Sequence, residues 1–317
     1  MEPSRPRLGA HLPLAAGLVR AADRAHEIGA DAIQVFTDNP GTWRRRAEPP
    51  PELDAFRARL AEHDIAPIAV HGAYLINLAG PADDLFDRSV ALLEGELRAA
   101  AGFGARFVNI HTGSHRDTSL EEGIARIAVG LERALEGVGD AACEVRVVLE
   151  NSVGSGWAVG RTIDELARIN AAIEARGVAP DRVGFCLDTS HLWGSGHEIS
   201  EPEEIDRILA DFDDRIGLGR LVMVHLNDSK MALGSSRDRH QHLGAGRIGA
   251  RGLGHFIRHP LLRNATFVLE TPGMAEGFDA VNVARARALS RGEELAGLPD
   301  VAGVTVATES AAAVPAG

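Results

Sequence analysis

The sequence predicts a single (β/α)8 TIM barrel with its active site at the carboxyl ends of the strands. Short, nearly continuous apolar runs alternate with amphipathic stretches along most of the 317 residues. This alternation is typical of parallel βαβ units, and eight such units in about 265 residues match the length of a closed barrel. In addition, six successive runs end in His, Asp or Glu, and a barrel gathers many strand ends at one mouth.

The predicted strands are runs dominated by apolar and β-branched side chains. A strand that is buried on both faces needs apolar residues at most positions, because each side chain meets either the barrel interior or a covering helix. Eight runs fit this description: Arg7–His11, Ala32–Phe36, Ile65–His71, Arg106–His111, Val145–Glu150, Val183–Asp188, Leu221–His225 and Thr266–Glu270.

The predicted helices are stretches in which apolar residues recur at spacings of three and four. The candidate at Ile248–Ile257 is weaker than the others, because it is shorter and glycines interrupt it. The remaining candidates are Gly17–Ile28, Glu52–His63, Asp83–Ala101, Leu120–Leu135, Thr162–Ala175 and Glu203–Phe212.

A doubly wound open sheet is the alternative to the barrel. It would place its ligands at one switch point, whereas this chain carries ionisable residues at nearly every strand end. We therefore favour one barrel domain over residues 7–296. Residues 1–6 are expected to form a short tail, and residues 297–317 a mobile C-terminal extension.

Composition and charge limit the classes of protein to which this chain could belong. Apolar residues make up 45% of the chain, enough for a large core. No apolar stretch approaches about 18 residues, and two cysteines suit a reducing compartment, so we expect a cytoplasmic protein without a membrane partner. A net charge of −12 argues against a simple nucleic-acid-binding surface. Bound divalent ions would offset several carboxylates, however, and basic residues cluster at Arg44–Arg46 and within Lys230–Arg247.

The ionisable strand ends predict a shared polar site. Burying one unpaired charge costs several kcal/mol or more, so a buried strand does not end in such a residue without a reason. Each residue alone has an ordinary explanation, as a hydrogen-bonded histidine or a salt-bridged carboxylate. Six of them together indicate convergence on one site: His71, His111, Glu150, Asp188, His225 and Glu270.

Two loops add three further candidate ligands. His191 follows Asp188 by three residues in GFCLDTSH, although Asp188 is also a candidate helix cap. Asp238 and His240 are two residues apart, so in an extended loop their side chains point the same way. Imidazole and carboxylate ligands suit zinc, and nine of them would serve two or three ions. We expect structural or supporting roles for the other histidines near strand ends and site loops: His11, His115 and His242.

Several motifs identify a family resemblance that extends over nearly the whole predicted barrel. The chain resembles endonuclease IV, the trinuclear-zinc apurinic/apyrimidinic (AP) endonuclease family of DNA base-excision repair. The run DRHQHLGAG together with GFCLDTSH is the most specific part of the match. The matching stretches are His71–Leu78, Asn109–His115, Leu149–Asn151, Gly184–His191, His225–Asp228, Arg237–Gly246 and Leu269–Thr271.

The resemblance implies three Zn²⁺ ions per chain, with Mn²⁺ able to replace zinc at one site. It assigns the first zinc to His71, His111 and Glu150. Glu150 would also bridge to a second zinc, which the resemblance assigns to Asp188, His225 and Glu270. The third zinc would be held by His191, Asp238 and His240.

The resemblance also implies hydrolysis of the phosphodiester bond 5′ to an abasic site in duplex DNA. The products would be a 3′-hydroxyl and a 5′-deoxyribose phosphate, and trimming of blocked 3′ ends is a second expected activity. Glu150, Asp188 and Glu270 would be the catalytic carboxylates. We expect a monomer without an obligate protein partner.

Side chains at the barrel mouth are expected to contact the DNA. Tyr74 and Leu75 match the family's wedge in the loop after His71, and we also expect contacts from Arg237 and Arg239. The chain departs from the family at Gly41, where the family inserts an arginine. The nearby run Arg44–Arg46 is a candidate substitute.

Two other functions fit parts of the pattern. A metal-dependent sugar or sugar-phosphate isomerase on a related TIM barrel also gathers Glu, Asp and His at strand ends, but it would leave Asp238 and His240 without a role. A DNA- or metal-binding protein without turnover is the third hypothesis. Cleavage of a duplex with one abasic analogue separates all three.

Overall fold

The computed structural model describes residues 6–46 and 48–299. Within these ranges eight parallel strands close into a barrel, in which each strand pairs with the next along the chain and the last pairs with the first. The (β/α)8 prediction is therefore confirmed. The barrel strands are β1 (Arg7–His11), β2 (Ala32–Val35), β3 (Ile68–His71), β4 (Phe107–His111), β5 (Arg146–Glu150), β6 (Val183–Asp188), β7 (Leu221–His225) and β8 (Thr266–Leu269).

All eight predicted strands are present, with small differences at their ends. The predicted run from Ile65 becomes a regular strand only at Ile68, because the preceding Pro67 has no backbone N–H to donate. Glu270 lies just past β8, and its N–H donates to the side chain of Asn227 instead of to a neighbouring strand. The backbone thus leaves the sheet at Glu270, at the barrel mouth, while the Glu270 N–H keeps a hydrogen-bond partner.

Helices cover the outside of the barrel. The seven predicted helices are confirmed, and the described ranges contain two further α-helices that were not predicted, Thr189–Ser195 and Phe278–Arg291. The first has only seven residues. The second contains ARARALSR, in which the arginines make the apolar spacing of a helix hard to recognise. The helices are α1 (Leu18–Glu27), α2 (Leu53–Glu62), α3 (Asp83–Phe103), α4 (Leu120–Val138), α5 (Ile163–Ala175), α6 (Thr189–Ser195), α7 (Pro202–Arg215), α8 (Gly249–Arg258) and α9 (Phe278–Arg291).

The core has two parts. A large cluster fills the space between strands and helices. A small cluster fills the barrel interior and so forms the floor beneath the mouth. Its buried members come one from each of strands β3 to β8: Ala69, Phe107, Val148, Cys186, Met223 and Val268.

The two predicted tails fall almost entirely outside the described residues. Only Pro6 and residues 297–299 of those segments are described, so the domain boundaries remain predictions. Among the described helices, none combines the length and the apolar character that crossing a bilayer requires.

Candidate metal centre

Six of the nine predicted ligands stand directly above the interior floor. Side chains alternate between the two faces of a strand, so residues separated by an even number of positions point the same way. Glu150 lies two positions after Val148 on β5, and His111 lies four positions after Phe107 on β4. The same two-residue offset from a floor residue applies to the other four: His71, Asp188, His225 and Glu270.

The first group of ligand atoms surrounds Glu150. Its carboxylate oxygen Oε2 lies 3.8 Å from His71 Nε2 and 3.6 Å from His111 Nε2. The ligand atoms of these three residues all lie within 4.8 Å of one another, close enough to hold one ion. Asn109, on the neighbouring strand β4, donates to the same Oε2 at 2.6 Å and fixes its position.

The second group shares Glu150 with the first. Ligand atoms of Glu150, Asp188 and His225 also lie within 4.8 Å of one another. Glu270 completes this side, since its Oε2 is 3.3 Å from His225 Nδ1. Glu150 therefore lies between two candidate ion positions, where a bridging carboxylate would have to be.

The third group lies toward the loop after β7. It brings together ligand atoms of Asp188, His191 and His240. Asp238 is beside them, with Oδ1 2.9 Å from His240 Nε2 and Oδ2 3.4 Å from His191 Nε2. The structure thus brings all nine predicted residues together and adds Asp188 to the neighbours of this group.

Backbone carbonyls orient three of the histidines. In each, Nδ1–H donates to a carbonyl oxygen, so Nε2 is the ring nitrogen that faces the centre and could bind an ion. Such outer hydrogen bonds fix the tautomer and ring direction of metal-binding histidines. The pairs are His71 with Gly72 at 2.8 Å, His191 with Asn151 at 2.9 Å, and His240 with Glu270 at 2.8 Å.

The electrostatics of the centre favour added positive charge. Burial by itself would lower the pKa of His240, but the adjacent carboxylates of Asp238 and Asp188 raise it to about 9. Burial would likewise raise the pKa of Glu150, yet the histidines around it hold that pKa well below its ordinary value. His71 behaves differently, because burial lowers its pKa to about 4 and keeps the ring neutral. Without ions, protonated histidines alone would have to balance the carboxylates.

The residues present fit a cluster of metal ions. His225 Nδ1 is buried without a hydrogen-bond partner, and His240 Nε2 and Asp238 Oδ1 lie 2.9 Å apart without a well-directed hydrogen bond. A buried polar atom without a partner is costly, and a cation would satisfy each of these. The mixture of imidazole and carboxylate donors suits zinc.

Sequence reasoning missed several amides that hold the ligands. The strongest available signal was a polar residue inside an apolar strand, as in AIQVF and FVNIH. Asn227 is an example from a strand end: it donates to Asp188 Oδ2 at 2.7 Å and accepts from the Glu270 N–H at 2.9 Å. The missed residues are Gln34, Asn109, Asn151 and Asn227.

The three histidines that were expected to have structural or supporting roles lie outside the nine ligands, either beside the centre or in hydrogen-bonded and packed positions. His11 Nδ1 lies 3.3 Å from Glu270 Oε1, beside the centre. His115 Nδ1 donates to the carbonyl of Thr118 at 2.7 Å, within its own turn. His242 is buried against Phe278, at 4.3 Å between ring centroids.

The predicted DNA contacts lie around the same mouth. The Tyr74 side chain is 61% exposed, whereas Leu75 is partly buried against the core. Arg237 and Arg239 line a cavity of about 280 Å³ together with the ligand Asp238.

Gly41 and the nearby arginine run differ in accessibility. Gly41 is exposed, whereas the guanidinium of Arg45 lies 2.8 Å from the buried carboxylate of Glu96. Arg45 is therefore engaged inside the protein, and a substitute for the family's arginine would have to come from Arg44 or Arg46, which are exposed.

Comparisons with known proteins agree with this geometry. Residues 22–295 match the model of a family described as "Xylose isomerase-like TIM barrel". The "Probable endonuclease 4" of Methanoculleus marisnigri is 39% identical over 89% of this chain and 98% of its own. That of Halothermothrix orenii is 36% identical over 88% of this chain and 99% of its own.

Solved structures are similar to this chain in the same way. Endonuclease IV from Thermus thermophilus superposes with a TM-score of 0.77 and 36% identity, covering 90% of this chain and all of that one. A D-tagatose 3-epimerase-like protein reaches a TM-score of 0.65 at 16% identity over 90% of this chain and 97% of its own, which reflects the shared fold alone. The chain covers almost the full length of these endonuclease relatives, and the sequence resemblance is confirmed: this chain belongs to the endonuclease IV family.

Proposed function

We propose that this protein is a zinc-dependent AP endonuclease of base-excision repair. It hydrolyses the phosphodiester bond 5′ to an abasic site in duplex DNA and leaves a 3′-hydroxyl and a 5′-deoxyribose phosphate. The observation that carries the proposal is the meeting of nine histidine and carboxylate side chains at the mouth, where His225 Nδ1 is buried without a hydrogen-bond partner. Membership of the endonuclease IV family supports the same reaction.

Three zinc ions would fit the three groups of ligands, with Glu150 shared between the first two. The first would be held by His71, His111 and Glu150. The second would add Asp188, His225 and Glu270, and the third would be held by His191, Asp238 and His240. When bound, such ions polarise phosphoryl oxygens and lower the pKa of water toward neutrality.

The chain's own residues prepare the site for this chemistry. The histidines around Glu150 keep its pKa low, so the carboxylate stays ionised and can bridge two cations. Asn109 and Asn227 hold Glu150 and Asp188 in place through hydrogen bonds of 2.6 Å and 2.7 Å. Because these groups are fixed before the substrate binds, little reorganisation is needed as charge develops on the phosphate.

Residues at the rim would recognise the DNA. Tyr74 is exposed above the first group of ligands, with its ring centroid 5.7 Å from that of His71. Together with Leu75 it could fill the gap that an abasic nucleotide leaves when it turns out of the helix, where no base pair has to be broken. Arg237 and Arg239 would contact backbone phosphates.

A duplex with a single tetrahydrofuran abasic analogue tests the proposal. We expect cleavage on the 5′ side of the analogue, a 3′-hydroxyl product, loss of activity with a strong chelator, and recovery with Zn²⁺. A blocked 3′ end on a nicked duplex tests 3′ trimming in the same assay. Binding without strand scission would favour a non-catalytic protein, and turnover of ketose sugars without DNA cleavage would favour the isomerase alternative.

The proposal also includes a monomeric enzyme in the cytoplasm without an obligate partner protein. A monomer would leave the mouth free to engage duplex DNA. Sedimentation of the purified, metal-loaded protein with and without DNA tests the oligomeric state.

A further inference from the structure

Gln34 is a fully buried amide on β2, a strand that supplies none of the nine predicted ligands. The sheet register pairs it with Ala69 of the interior floor on one side and with His11 on the other. Its side chain reaches two ligands from other strands, Glu270 and His225. It therefore joins parts of the centre that are distant in sequence.

The hydrogen bonds of Gln34 have a defined direction. The Glu270 carboxylate can only accept, so the amide nitrogen of Gln34 must face Oε1, at 2.7 Å. The amide oxygen then faces His225 Nε2 at 3.1 Å and can only accept from it. Consequently His225 carries a proton on Nε2, and Nδ1 is the ring nitrogen that can bind an ion.

This Nδ1 faces the centre. It lies 3.4 Å from Glu150 Oε2 and 3.3 Å from Glu270 Oε2, and it has no hydrogen-bond partner. The ring is thus reversed relative to the histidines whose Nδ1–H donates to a backbone carbonyl and whose Nε2 faces inward. A side chain, not the backbone, sets the tautomer of His225.

We propose that Gln34 is a positioning residue for the second metal ion. It holds His225 in the tautomer that presents Nδ1, and it occupies Glu270 Oε1, which leaves Oε2 facing His225 Nδ1 where both could hold that ion. The inference rests on the proposed metal centre but concerns only one of its positions. Outer hydrogen bonds of this kind typically change metal affinity about 10- to 100-fold.

The variant Gln34→Met tests this role, because methionine is similar in length and lacks both hydrogen-bonding groups. We expect zinc affinity at one position to fall about 10- to 100-fold. At limiting free zinc, elemental analysis should find about one zinc fewer per chain than in the wild type. Raising free zinc should restore both the metal content and the cleavage of abasic duplex.

The matched control is Asn170→Leu. Asn170 is also a buried amide that donates to a carboxylate, Glu174 at 3.0 Å, but it lies on α5 outside the centre. This variant should keep the wild-type zinc content. If losing a buried amide had only a structural effect, zinc content would fall in neither variant, or stability would fall in both.

Two outcomes would overturn the inference: a Gln34→Met variant with wild-type zinc affinity, or ¹⁵N-histidine spectra of the zinc-loaded wild type that place the ion on Nε2 of His225 and the proton on Nδ1. The spectra require no variant, so they decide the question even if Gln34→Met fails to fold. If the wild type itself neither binds zinc nor cleaves abasic duplex, the proposed function fails instead, which is a distinguishable result.

Discussion

Two clusters of histidine and carboxylate side chains in this protein differ in where they lie. The mouth holds the nine predicted ligands, of which Asp188 and His225 are fully buried. An outer cluster joins α7 to α8, where His255 Nε2 and His259 Nε2 lie 2.6 Å and 3.2 Å from Asp206 Oδ1. The Asp206 side chain is 57% exposed. The donor types are the same, but the mouth contains fully buried carboxylates, whereas the one carboxylate of the outer cluster is exposed.

Burial, more than residue type, creates the need for ions. In the outer cluster one exposed carboxylate accepts from two imidazoles, and solvent screens the remaining charge. In the mouth, four carboxylates share a small volume, and His225 Nδ1 is buried without a hydrogen-bond partner. Desolvation and like-charge repulsion make such an arrangement costly unless cations are present.

Exchanging one carboxylate for an amide in each cluster should give the largest difference in cleavage activity between the two clusters. Glu150→Gln keeps the size of the side chain but removes the charge that would bridge two ions. We expect cleavage of abasic duplex to fall more than about 100-fold, beyond the loss typical of residues that only support a ligand. The control, Asp206→Asn in the outer cluster, should cleave at the wild-type rate within about twofold. Near-normal cleavage by Glu150→Gln would contradict the assigned bridge.

Removing metal should also distinguish the two clusters by their effect on thermal stability. Ligands that bind only the folded state stabilise it, by about 4 kcal/mol for each site at free zinc 1,000 times Kd. A strong chelator should therefore lower the Tm of the wild type by many degrees, and added zinc should restore it. The outer variant His255→Ala should show the same chelator-dependent shift as the wild type. A Tm that does not respond to chelation would show that the mouth needs no ions.

The pH dependence of the metal-free protein should also reflect the mouth. The pKa of His240 is raised from 6.5 to about 9 in the folded state, so its protonation stabilises the fold fully below about pH 6.5. That contribution is lost as the pH rises through about 9. Burial would lower the pKa values of His191 and His225 as well, but both are raised: that of His191 by the carboxylates around it, and that of His225 by Cys186 and then by Glu270 and Glu150. The Tm of metal-free protein should therefore fall between pH 7 and pH 10.

Zinc binding supplies the control for that experiment. An ion at His240 must displace the proton, so zinc uptake should release protons and zinc-loaded protein should lose the decline in Tm. The variant His240→Gln should show a weaker decline than the wild type in the metal-free state. Equal profiles for the two proteins would exclude His240 as a source of the pH dependence.

The sequence was sufficient for the barrel and for the convergence of the nine residues, because both follow from local pattern. Period-two alternation places a residue such as His71 on the interior face once its strand is identified, and strand ends in a closed barrel must meet. Hydrogen bonds between distant strands are not local, and the reach of Gln34 to Glu270 depends on barrel closure. For the same reason the outer cluster was not anticipated: Asp206 and His255 meet only because α7 packs against α8.

The smallest expected effect belongs to the outer cluster. The hydrogen bond from His255 lowers the pKa of Asp206, so the pair adds stability above the ordinary pKa of the carboxyl group. This contribution disappears as the pH falls through the lowered pKa. Because Asp206 is exposed, His255→Ala should lower the Tm at pH 6 by no more than about 2–3 °C, and salt should reduce the difference. A decrease in Tm as large as that caused by chelation would mean that the outer cluster also holds an ion. The two clusters would then differ in their affinity for metal, not in whether they need it.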